Sequence, residues 1–143
     1  GINGTTNWMA GKWQGYQNEE VTFTIDLKEE KGINAVSVNF LQDSRSWILM
    51  PKVVSVYIGD QLFASDTLAI DAFAEGNFIK KVKLQFVDER RNTPLRRVPT
   101  TVCTYRTDKI KIVVHSAGKL PEGHIGSTMD GDAFFFVDEI EIY

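Results

Sequence analysis

Hydrophobic and polar positions alternate with a period of two along most of the chain. In "EVTFTIDL", Val21, Phe23, Ile25 and Leu27 share one face while Thr22, Thr24 and Asp26 share the other, as in a strand buried on one side. The pattern returns at Val36, Val38 and Phe40, at Val54, Val56 and Ile58, at Val82, Leu84 and Phe86, and at Ile110, Ile112 and Val114. Between these runs "EEKG", "GDQ", "AEGN" and "RTDK" read as turns. No apolar stripe of helical period persists, and "DTLAIDAF" has room for one short helical turn at best. The last run, "AFFFVDEIEIY", is different. Phe134, Phe135 and Phe136 are consecutive and cover both faces at its start, whereas Ile140 and Ile142 alternate with Glu139 and Glu141 at its end. A strand that is apolar on both sides predicts a central position in its sheet.

One-sided strands without crossover helices must bury their apolar faces against each other. The expectation is therefore an all-β fold, an antiparallel jelly-roll β-sandwich of about eight strands. A chain of 143 residues, 43% of them hydrophobic, suits a single domain spanning 1–143. Gly1 stands where an initiator Met would, so the chain is expected to be a C-terminal segment of a larger protein, or a processed chain. No apolar run approaches the roughly 20 residues of a transmembrane helix. A net charge of -3 is the wrong sign for a protein that neutralises phosphates, which argues against a nucleic-acid partner. "DERRNTPLRR" is the local exception, and its clustered Arg90, Arg91, Arg96 and Arg97 read as a solvated loop or an anion-binding patch. Cys103 is the only cysteine, so no internal disulfide can form. In "TTVCTY" it reads as a small buried side chain rather than a nucleophile.

Candidate chemistry is sparse. His115 and His124 belong to neither an H-E-x-x-H pair nor a G-x-S-x-G elbow. Glu139 and Glu141 on one strand face would stand about 7 Å apart, a spacing glycosidases use, but any strand with alternating acids produces it. No catalytic residue is expected. Calcium asks for six to eight oxygens. The glycine-containing "GINGTT" offers Asn3, Thr5 and Thr6, with a carboxylate such as Glu139 supplied from a distant segment; the same loop also reads as an Asx or Ser/Thr turn. The aromatic residues Trp8, Trp13, Tyr16 and Trp47 all fall in turn-rich stretches. Sugars pack C–H faces on indole rings and present hydroxyls to planar amides, carboxylates and guanidinium groups, and "QDSRSW" gathers Gln42, Asp43, Arg45 and Trp47. These tryptophans read equally as plugs, with Trp8 and Trp13 closing one end of the sandwich.

The order "GINGTTNWMAGKWQGY", "VTFTIDL", "INAVSVNFLQDSRSWILMPKVVSVYIGD", "DKIKIVV" and "AFFFVDEIEIY" resembles the coagulation factor 5/8 type C, or discoidin-like, domain. It is similar to family 32 carbohydrate-binding modules and to the C-terminal domain of bacterial family 20 glycoside hydrolases, the chitobiases and beta-hexosaminidases. The resemblance implies a galactose-binding-like jelly roll and a structural calcium held by the first loop and last strand, with Asn3, Thr5 and Glu139 as ligands. It implies glycan binding, to GlcNAc- or galactose-containing sugars, in loops at one end, with Gln42, Asp43 and Trp47 and the loop "LPEGHIGSTMDGD" that carries His124 at the matching positions; Arg45 joins them as a candidate contact from "QDSRSW". It also implies an extracellular or periplasmic setting beside a parent glycoside hydrolase domain. The expected function is a non-catalytic carbohydrate-binding module. The alternative is a structural accessory domain that packs on its parent without binding ligand, and a third reading is a discoidin-type surface in which Leu95 inserts beside the arginines of "RRNTPLRR".

Overall fold

The computed structural model describes residues 4–17, 19–87, 102–129 and 131–143. Eight strands follow one another: β1 (Gln14–Tyr16), β2 (Glu20–Ile33), β3 (Ala35–Asp43), β4 (Val53–Ile58), β5 (Gln61–Thr67), β6 (Asn77–Gln85), β7 (Tyr105–His115) and β8 (Phe135–Ile142). They form two four-stranded antiparallel sheets, one in the order β1-β8-β3-β6 and the other β2-β7-β4-β5. Apart from the β4–β5 hairpin, the chain changes sheet between every pair of consecutive strands. That alternation gives a jelly-roll sandwich, the architecture the period-two pattern requires.

The core lies between the sheets and is made of the alternating positions. Val36, Val38 and Phe40 of β3 and Phe135 and Val137 of β8 face Val54 and Val56 of β4 and Ile110, Ile112 and Val114 of β7. Each such side chain contributes roughly 1.5–3 kcal/mol when fully removed from water. On the edge strand β2, Val21, Phe23, Ile25 and Leu27 close the margin while half-buried. The consecutive phenylalanines behave as their pattern demands. β8 lies between β1 and β3, with Phe135 in the core and Phe134 and Phe136 on the outer side of the sheet.

Two local expectations change and one is met. "EEKG" is not a turn between strands, because β2 runs through it: the ladder with β7 slips between Asp26 and Lys31, and residues 27–30 bulge outward. Lys28 takes a left-handed φ of 68°, held by its N–H donating to Asp26 Oδ1 at 2.8 Å. "DTLAIDAF" keeps within the single short turn the sequence allows, since β5 continues to Thr67, Leu68 is buried, and the chain turns at Ala72 and Phe73. The first-loop tryptophans do not close an end of the sandwich. Trp13 is buried on the outer side of the first sheet with Leu41, Ile48, Phe134 and Phe136, and Trp8 meets Phe136 edge-on at 5.8 Å.

Cys103 is half-buried, with its N–H donating to Phe86 O at 2.8 Å. The arginines of "DERRNTPLRR" and Leu95 lie outside the described residues, as do Asn3 and Asp130. No helix among the described residues is long and apolar enough to cross a membrane.

Candidate functional site

The loops that gather where β3 ends and β8 begins hold most of the residues singled out from sequence. A single 3-10 turn, Ser44–Ser46, follows β3. It is closed by Asp43 and Ile48, whose N–H groups donate to each other's carbonyls at 2.9 and 3.0 Å. The turn can close only because Trp47 adopts a left-handed φ of 64°. A non-glycine residue there carries a strain cost, which the surrounding packing and hydrogen bonds hold in place. Phe134 N–H donates to Trp47 O at 2.8 Å and Leu49 N–H to Phe134 O at 2.9 Å, so the turn is stitched to the start of β8.

The Trp47 ring is half-buried, and packs beside a small apolar cluster of Leu49, Ala72, Leu120 and Ala133. It rests on the backbone of the 116–131 loop at two glycines. A Cβ at Gly126 would sit 2.7 Å from indole Cε2, and one at Gly131 would sit 2.8 Å from Cζ3. Only residues without side chains admit the ring so close.

Two of the expected sugar contacts are committed to the scaffold. Gln42 is fully buried, donating from Nε2 to Asp71 O at 2.7 Å and accepting from Met50 N–H at 3.4 Å. His124 is buried too, its Nε2 lying 2.9 Å from Ser44 O and 3.0 Å from Ser44 Oγ while Nδ1 accepts the Gly126 N–H at 3.0 Å. Burial removes both polar groups from an incoming hydroxyl. Asp43 accepts from Ser46 Oγ at 3.1 Å, and Ser46 Oγ accepts from Trp8 Nε1 at 3.1 Å, linking the first loop to this turn. Arg45 is exposed.

Beside these residues opens a cleft of about 370 Å³ lined by Leu49, Ile70, Asp71, Ala72, Phe73, Ala117, Lys119 and Pro121. Buried Leu49 and Ala72 give it an apolar base, while Ile70 and Phe73 are exposed. Phe73 is 58% exposed, and its N–H donates to Asp71 Oδ1 at 3.0 Å, which fixes the bend that presents the ring. Lys119 Nζ lies 4.0 Å from Asp132 Oδ1. Just outside, Ile125 is 75% exposed. Sequence reading overlooked Asp71, Phe73 and Lys119. The available signal was Phe73 itself, an aromatic residue in the polar, glycine-containing "IDAFAEGN".

The first loop and last strand meet at Asp138. The β3–β8 ladder slips between Val38 and Phe40, producing a bulge at Asp138 and Glu139. Gly4 N–H donates to Asp138 Oδ2 at 2.7 Å, and Asp138 Oδ1 accepts the Glu139 N–H. Thr5 is exposed, and its carbonyl accepts from Trp13 Nε1 at 2.7 Å. Glu139 is half-buried. Among the described residues, no three acidic, histidine or cysteine side chains are grouped to hold a metal.

The remaining titratable groups are spread along the strands. Tyr143 Oη donates to Glu141 at 2.6 Å and Lys81 Nζ lies 3.0 Å from it; the hydroxyl first, then the ammonium, hold the Glu141 carboxyl below its usual range. The hydrogen bond to Glu141 correspondingly pushes Lys81 up. His115, at the end of β7, has Nδ1 3.6 Å from Glu20 Oε2. Neither a family model nor a curated protein matches the chain.

Proposed function

We propose that this domain is a non-catalytic carbohydrate-binding module of the discoidin-like kind that keeps a secreted or periplasmic glycoside hydrolase close to its glycan. The observation that carries the reading is the cleft beside Trp47, where the exposed ring of Phe73 borders an apolar base with Asp71 and Lys119 among the lining residues. A pyranose offers the matching chemistry, with C–H faces for the ring and hydroxyls for the carboxylate and ammonium. Asp71, Phe73 and Lys119 make the contacts, Trp47 supports the wall, and Gln42 and His124 act by holding the loops. Asp43 and Arg45 lie on the adjoining turn, where a longer glycan would run.

A shallow site on a rigid scaffold binds modestly, at roughly millimolar to micromolar Kd, or ~4 to 8 kcal/mol. Titration calorimetry with GlcNAc- and galactose-containing oligosaccharides tests this. Saturable heat is expected from the native domain, weakened at least about tenfold in Phe73→Ala at unchanged melting temperature, since each stacked ring contributes on the order of 1.5 kcal/mol. No heat with any of these sugars would overturn the reading.

Calcium belongs to the same proposal. The carboxylates of Asp138 and Glu139 in the β8 bulge, with oxygens of the first loop such as those of Thr5, supply the hard donors the ion prefers. The Gly4 N–H now at Asp138 Oδ2 must turn aside to admit it. Added calcium should then raise the melting temperature of the native domain, with no rise in an Asp138→Asn, Glu139→Gln variant.

One observation favours the alternative of a structural accessory domain. Ile70 and Phe73 at the cleft and Ile125 on the loop of His124 are exposed apolar side chains, suited to packing on a parent catalytic domain. Retention of that parent by the native domain but not by an Ile125→Asp variant, with sugars giving no heat, is its signature.

A further inference from the structure

We infer that His124 is a pH-sensitive latch that holds the cleft loops together while its imidazole is neutral and releases them when it is protonated. The geometry around the ring fixes its chemistry. Nδ1 accepts the Gly126 N–H at 3.0 Å, so in this arrangement Nδ1 carries no proton and the hydrogen sits on Nε2. From there it is shared between Ser44 O at 2.9 Å and Ser44 Oγ at 3.0 Å. Ser44 Oγ in turn donates to Ala72 O. A single buried ring thus ties together the turn after β3, the segment at 72 that borders the cleft, and the 116–131 loop.

Acid removes one of those ties. A second proton can go only to Nδ1, where it converts the acceptor facing the Gly126 N–H into a donor, and two donors then point at each other. Among the described residues the ring nitrogens touch Ser44 and Gly126 and no carboxylate. The described charged residues on the segments packed around the ring are Asp43 and Arg45 on the turn, Asp71 beside Ala72, and Lys119, Glu122 and Asp132 on its own loop, whose Asp130 lies outside the described residues. Of the acids, Asp43 is engaged by Ser46 Oγ, Asp71 by the Phe73 N–H, and Asp132 lies near Lys119, while Glu122 is exposed. The charged ring gains solvation only by leaving its place, and residue 126, on which Trp47 rests, goes with it. The neutral form makes the contact, so loop closure holds while the ring is neutral and is lost when acid protonates it.

Loop opening is a property of the chain alone; its effect on sugar affinity rests on the glycan reading above. The test therefore has two separate readouts. Heteronuclear NMR of the unliganded native domain from about pH 8 to about pH 5, across the ordinary imidazole range, follows the His124 ring nitrogens, amide exchange at Gly126 and the Trp47 indole signal. The expected result is the Nε2–H tautomer at the upper end. The protection factor of Gly126, its exchange corrected for the intrinsic effect of pH, then falls tenfold or more with the same midpoint as the His124 ring, and the Trp47 signal changes with it. His115→Gln should leave that response intact, and His124→Asn, whose amide oxygen still accepts from Gly126 but does not titrate, should abolish it. Protonation of His124 with Gly126 exchange and Trp47 unchanged, or a ring that stays neutral throughout, would overturn the inference. If the loops open as described but no sugar binds at any pH, the latch stands and the glycan reading falls.

Discussion

Glycines separate positions that tolerate a methyl group from those that do not. At Gly126 an added Cβ would meet Leu120 Cδ1 at 2.3 Å as well as the Trp47 ring at 2.7 Å. Gly126→Ala should therefore overpack the loop, lowering stability by about 1–3 kcal/mol and shifting Trp47 emission as the indole is displaced. Denaturant unfolding monitored by fluorescence reads both effects. The tryptophans divide in the same way. Trp13 fills the outer cluster and spends its indole N–H on Thr5 O, so Trp13→Ala should cost about 3–5 kcal/mol, whereas Trp8→Ala, removing a ring already 37% exposed, falls well short of that.

At the scale of elements, the β4–β5 hairpin shows how little sequence is needed to set a register. Ile58 pairs with Gln61 across Gly59 and Asp60, and Gly59 sits at a φ of 60° that a β-branched residue strongly resists. Gly59→Val should destabilise the domain by about 1–2 kcal/mol in chemical denaturation, and Gly59→Asn by less, because asparagine tolerates the left-handed region. On the far side of the first sheet, Lys81, Glu141 and Tyr143 form a cross-strand network over β6 and β8. The Glu141 carboxyl is held below its usual range by the Tyr143 hydroxyl and Lys81, and that of Asp26 by the Lys28 backbone N–H. A depressed carboxyl stabilises the fold above its unfolded-state titration near pH ~4 and loses that contribution as pH falls through the lower folded value. Melting temperature against pH should therefore decline in acid, and less steeply in Glu141→Gln.

The whole molecule is a sandwich whose two sheets share one core, so damage at its centre is felt everywhere. Phe135 is completely buried on the central strand β8, and Phe135→Ala should remove about 3–5 kcal/mol in a single cooperative transition seen identically by fluorescence and circular dichroism. The outer face of the β1-β8-β3-β6 sheet carries a second layer, in which Trp13 covers Leu41 and Phe136. The consequence is positional. The first loop is fixed along the flank of the sheet, leaving the end where β3 stops and β8 starts to the cleft.

The period-two runs at Val21–Leu27, Val36–Phe40, Val54–Ile58 and Ile110–Val114 determined the strands, the sandwich and the core by themselves, since which face a strand buries is a local property of alternation. The three phenylalanines likewise announced a central strand. Strand β5 escaped notice because "QLFASDT" lies at a sheet edge and buries too little to show a pattern. The cleft was legible only in part. Trp47 stood out by its chemistry and its loop, but the composition of "QDSRSW" could not say that Gln42 points inward to bond Asp71 O, nor that His124 would meet Ser44 across 80 positions. Only the tertiary structure decided those orientations. A polar side chain reads the same in sequence whether it greets water or satisfies a buried carbonyl, and the difference is made by the loops that close over it.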